Sequence, residues 1–101
     1  YTETVEYVQR EVQNMNKEKI NVVINQCTRY KIKDKINIGF VAEMHNRNNR
    51  ENPELTKMAA ILIDAKRKGT SLEDVKDMLE HSDKINNRER ELLAKFYEKA
   101  R

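Results

Sequence analysis

Pro53 and Gly69 constrain this chain more than any other pair of residues, because together they delimit one helix at both ends. Asn52 stands before Pro53 as the expected cap, and Pro53 takes the first helical position, where its missing N–H would have gone unpaired anyway. Glu54 follows at the positive end of the dipole. At the other end Lys66, Arg67 and Lys68 complement the negative end, and Gly69 stands where a left-handed cap residue is wanted. The residues between, Leu55, Met58, Ala59, Ile61, Leu62, Ile63 and Ala65, are apolar on more than one side, so this helix is expected to be the central and most buried one. Thr70 and Ser71 can cap a following helix, with Thr70 and Glu73 at capping-box spacing and Val75, Met78 and Leu79 on its inner face.

Helical spacing recurs on both sides of this unit. Val5, Val8, Val12 and Met15 form one stripe after Thr2 or Thr4, with Glu3 and Glu6 in the first turn. A second run, Ile20, Val23, Ile24, Cys27 and Tyr30, resumes the spacing, and Ile36, Phe40, Val41 and Met44 fit one helical face after a capping Asp34. Residues 20–44 are the one stretch where a β-hairpin competes, because Ile20 to Ile24 and Ile36 to Phe40 are rich in β-branched residues. His45 to Asn52 carries no apolar residue and reads as an exposed loop, and a last helix over about Asn86–Ala100 buries Leu92, Leu93, Phe96 and Tyr97. With two glycines, one proline and one cysteine in 101 residues, collagen-like, low-complexity and disulfide-framework classes fail. The expected fold is all-α: a single domain over 1–101, a bundle of five or six helices. The chain opens on Tyr1 rather than Met, which suits a trimmed chain or a fragment of something longer.

The net charge of +3 is unevenly placed. Residues 17–50 hold eight basic and three acidic side chains, whereas the rest of the chain from 51 on is balanced. Arg29, Lys31, Lys33, Lys35, Arg47 and Arg50 are therefore the candidates for contact with nucleic-acid phosphates, although only Tyr30 and Phe40 interleave them as stacking partners. The competing reading is a solvated surface. The longest apolar run, Met58 to Ile63, is far short of the ~20 residues a membrane span needs, and no signal-peptide pattern opens the chain. A lone Cys27 suits a reducing, cytoplasmic setting.

Catalytic and metal chemistry is not expected. His45 and His81 lie at no ligand spacing from each other or from Cys27, which excludes the usual zinc patterns. Cys27 with His45 as nucleophile and base is outweighed by Cys27 as a small core hydrophobe. Gly39 belongs to no phosphate-binding loop, and Glu73, Asp74, Asp77 and Glu80 lack the spacing of a calcium loop. Neither cofactor nor small-molecule substrate is implied.

The run Leu55 to Glu80 resembles the helical hook of the Sin-type repressors and antirepressors of bacilli, two short helices joined through a Gly and a Ser. Ile61, Leu62 and Ala65 match the apolar positions of its first helix, Gly69 and Ser71 its turn, and Val75, Met78 and Leu79 its second helix. Met58 stands where that family often has Trp, and a further helix follows where the family usually ends. The resemblance implies that the hook exchanges apolar faces with a second copy or a protein partner, with Leu55, Met58, Leu62, Ala65, Val75, Met78 and Leu79 as the contact residues. The expectation is a non-enzymatic helical interaction module in transcriptional control, in a bacterium or its mobile elements. The alternative is a small basic nucleic-acid-binding domain.

Overall fold

The computed structural model describes residues 16–101, in which five helices follow one another: α1 (Lys17–Arg29), α2 (Lys35–Arg47), α3 (Glu54–Arg67), α4 (Leu72–Glu80) and α5 (Asn87–Lys99). No strand occurs among the described residues, so the all-α expectation holds and the hairpin over 20–44 does not form. The stripe Val5, Val8, Val12 and Met15 lies outside the described residues.

Capping decides the helical outcome of 20–44. Asn16 accepts from the Lys19 N–H at 2.8 Å and starts α1; Asp34 accepts from Ile36 N–H at 2.7 Å and Asn37 N–H at 3.2 Å and starts α2. Between them α1 closes in a Schellman arrangement, with Ile32 N–H on the Cys27 carbonyl at 2.8 Å and Lys31 N–H on that of Thr28 at 3.2 Å. Lys31 takes the left-handed conformation, φ 62°, a position usually given to glycine. The α3 end repeats the motif with the residue expected there. Thr70 N–H meets the Ala65 carbonyl, Gly69 N–H meets that of Lys66, and Gly69 has φ 78°.

Other local expectations are adjusted. Asn52 Oδ1 accepts from Glu54 N–H at 3.1 Å, so it caps α3 as expected while the regular helix begins one residue after Pro53. Ser71 alone caps α4, through Asp74 N–H at 3.2 Å; no Thr70–Glu73 box forms, and the Thr70 carbonyl instead accepts the Tyr97 hydroxyl. The capping box lies at the start of α5, where Asn86 and Glu89 exchange side-chain and backbone bonds. The stretch from His45 is not an exposed loop throughout, because α2 runs on through Arg47 and Asn48 is buried. Nor is α3 alone at the centre: α2 is buried continuously from Gly39 to Met44, whereas α3 leaves Ile61 at the surface.

The core forms where α5 packs on α2, α3 and α4, and where α1 packs on α2 and α3. Val41, Leu55, Leu62, Val75, Leu79 and Leu93 are almost wholly excluded from solvent. Each contributes about 1.5–3 kcal/mol of burial. Three helix C-termini are sealed by cations from other helices. Arg88 Nη2 donates to the Arg47 carbonyl at 2.9 Å, Arg90 donates to Leu79 and Ser82 carbonyls at 3.0 and 2.8 Å, and Lys66 Nζ donates to Tyr97 and Glu98 carbonyls at 2.6 and 3.0 Å. Apart from that of Ser82, which lies just beyond α4, these carbonyls belong to last helical turns, the end where the dipole favours positive charge.

Candidate functional site: a cation-walled groove

The apolar residues expected to meet a partner are engaged within the chain. Leu55, Met58, Leu62, Val75 and Leu79 are buried in its own core, and Ala65 and Met78 are half-buried. The covering element is α5, which packs on both α3 and α4. Helix, Gly69, Ser71 and helix follow one another as the sequence order requires, and the apolar side of both helices is packed within the chain. In this folded state the chain itself covers five of these seven residues and part of the other two.

The six basic candidates are also divided. Arg50 holds Glu89 with two bonds, Nη2 to Oε1 at 2.6 Å and Nε to Oε2 at 3.0 Å, and Arg47 Nε lies 3.3 Å from Glu43 Oε1. The Arg29 guanidinium lies over the Tyr30 ring at 5.8 Å, and Lys35 is exposed in the first turn of α2. Only Lys31 and Lys33 are brought to a common cavity.

That cavity is an open groove of about 650 Å³ between the α1–α2 turn and the outer face of α3. The turn supplies Lys31 and Lys33 on one wall; α3 supplies Lys57 and Arg67 on the other, with Ala60 and Ile61 between them. Ile61 is 40% exposed, one of three large apolar side chains at the surface among the described residues, with Val22 and Ile24. The side chains of Lys31, Lys33 and Arg67 make no hydrogen bond or ion pair among the described residues, and Lys57 reaches Glu54 only at 4.0 Å. Two carboxylates line the groove, Asp34 and Asp64, and that of Asp34 is engaged in capping α2. The groove therefore presents a positive rim around an apolar strip. Of these residues, Lys57, Ile61, Asp64 and Arg67 were not among the sequence candidates. The signal was the second apolar side of α3, which a single-sided helix would lack.

Burial pushes the Cys27 thiol up to about 11, leaving it protonated at neutral pH. His45 is lowered to about 4, first by burial and then by the Lys19 charge. Its Nε2 lies 2.7 Å from Thr56 Oγ1, which itself donates to Gln26 Oε1 at 2.8 Å, so the His45 ring donates to Thr56 and ties α2 to α3 and α1. Among the described residues no group of His, Cys, Asp and Glu could hold a metal ion, and no helix is long and apolar enough to cross a membrane.

No protein-family model, curated protein or solved structure matches this chain.

Proposed function

We propose that this chain is a non-enzymatic helical protein-interaction module that holds an acidic, amphipathic segment in the groove between the α1–α2 turn and α3. One observation carries the reading: Lys31, Lys33 and Arg67, without ion partners among the described residues, surround the surface-exposed Ile61. Carboxylates on a helical segment would meet the cations while its apolar residues cover Ile61 and Ala60, the usual manner in which a helix occupies a groove. The resemblance of residues 55–80 to the Sin-type hook supports a setting in transcriptional control, as a regulator or antirepressor, in the cytoplasm of a bacterium or of a host to its mobile elements. The groove rather than the hook face is the contact surface in this reading.

The nucleic-acid alternative draws on Lys31, Lys33 and Lys35, which are all exposed. It is the lesser reading because phosphates gain nothing from the apolar strip of Ala60 and Ile61. Titrating isotope-labelled protein with a helical peptide of alternating Glu and Leu turns, and separately with duplex DNA, decides between them. The peptide is expected to shift the amide signals of Lys31–Asp34 and of Lys57–Arg67. DNA binding that loses a similar amount for each lysine neutralised, with no response to the peptide, would overturn the protein-binding reading.

A further inference from the structure

We propose that the acidic segment taken by the groove is α4 of a second copy of this chain, so that copies associate head to tail. The proposal rests on the groove reading above and names its partner. Helix α4 carries Glu73, Asp74, Asp77 and Glu80, all exposed, and no salt bridge among the described residues holds any of them. Glu73, Asp77 and Glu80 fall on one helical face by their spacing of four and three, and Asp74 lies beside them. Val75 and Leu79 face the other way, into the core against α5, so the acidic face is turned outward.

Charge and length both match. The groove wall from Lys57 to Arg67 runs ten residues along α3, about 15 Å, and the nine residues of α4 extend about 13 Å. Lys31, Lys33, Lys57 and Arg67 on one copy would face Glu73, Asp74, Asp77 and Glu80 on the next, with exposed Lys76 flanking Glu80 and half-buried Met78 beside Asp74 to meet Ile61. A chain cannot satisfy this pairing with its own α4, which does not line its groove and is anchored on α5. Because the two surfaces differ, the contact is heterologous, and each added copy leaves one groove and one acidic helix free. One short helix in one groove buries much less than the roughly 1,600 Å² of a standard interface, so the association is weak and dependent on concentration and salt.

Charge reversal tests it with the intact chain. One variant carries Lys31→Glu and Arg67→Glu; the other carries Glu73→Lys and Asp77→Lys. All four positions are exposed, and circular dichroism on each variant verifies helicity. Sedimentation velocity at low ionic strength is expected to show the parent associating as its concentration rises and returning to monomer at ~1 M salt, where screening acts within ~3 Å. Each variant alone is expected to stay monomeric, because its groove and its α4 then carry the same sign. Mixed in equal amounts, the two variants regain association. A parent that stays monomeric up to its solubility limit, a single variant that associates like the parent, or a mixture that remains monomeric would each overturn the proposal. If a reversal lowers helicity, Lys31→Gln with Arg67→Gln replaces it, and parent-like association of that variant overturns the proposal equally. Peptide binding at the groove by a parent that never associates would sink this inference alone and leave the interaction reading standing.

Discussion

Glu89→Gln separates a structural carboxylate from a merely polar one. Glu89 is wholly buried and receives five donors. Its Oε1 accepts from Arg50 Nη2 at 2.6 Å and from the Asn86 N–H at 2.8 Å; its Oε2 accepts from Asn48 Nδ2 at 2.7 Å, Arg50 Nε at 3.0 Å and Asn52 Nδ2 at 3.1 Å. Glutamine has the same shape, but either orientation of its amide sets an N–H₂ against two or three donors. The charge that balanced Arg50 is lost as well. Removing one member of a buried ion pair costs about 3–5 kcal/mol, and the half-exposed Arg50 keeps water on its outer side, which places the expected loss near the lower end, about 3 kcal/mol. Against a total stability of roughly 5–15 kcal/mol this is a large fraction, and it lowers Tm by about 12–24 °C for a domain of this size. Urea titration followed by circular dichroism measures it directly, with an expected fall in the midpoint of about 1–3 M. The acid limb gives a second reading. Burial pushes the Glu89 carboxyl up, but Arg50, the Asn86 N–H, Asn48 and Asn52 outweigh it and hold it down at about 2. A depressed carboxyl stabilises the fold above its unfolded value, about 4.3, and that contribution disappears as pH falls toward about 2. The gap between parent and variant is therefore expected to narrow from ~pH 5 downward. A variant within ~0.5 kcal/mol of the parent at neutral pH would refute the assignment of Glu89 as the fastening of the 48–52 segment.

Two left-handed residues give opposite predictions. Lys31→Gly is expected to stabilise by about 0.5–1 kcal/mol, the relief of left-handed strain less the entropy of a freer unfolded chain, while removing a groove cation. Gly69→Ala meets no atom within 4 Å, so its expected loss of about 1 kcal/mol in urea denaturation is a backbone effect alone. Leu62→Ala is expected to cost about 2.7–5 kcal/mol, and Leu62→Glu to abolish the cooperative thermal transition rather than release a partner, because Leu62 lies in the chain's own core. Cys27, buried and protonated, is expected to resist a thiol reagent in the native state and to react fully in urea, and rapid native labelling would contradict its placement.

Whatever rests on short-range chemistry was legible from the residues. Asn52, Gly69, Ser71 and Asp34 act on backbone groups two or three positions away, and the helices they punctuate appear with their ends within about a residue. The destination of an apolar face was not. Periodicity shows that Leu55, Leu62 and Leu79 must be covered, but whether α5 or another molecule covers them depends on how the chain closes. The polar run from His45 failed for a related reason: Asn48 reads as a surface residue until a buried carboxylate from 41 positions later accepts its amide. Counting charges over 17–50 likewise could not separate Lys31 and Lys33, which remain available, from Arg47 and Arg50, which are committed to Glu43 and Glu89.

The dependence of three earlier helices on α5 sets a schedule for the chain during synthesis. Until residues 87–99 leave the ribosome, the last carbonyls of α2 and α4 lack Arg88 and Arg90, Asn48 and Asn52 lack their acceptor, and the apolar side of α3 and α4 faces water. A nascent chain halted before α5 thus exposes the apolar surface of α3 and α4 that α5 covers in the finished molecule, and in that interval chaperones and proteases meet a surface that the completed fold conceals.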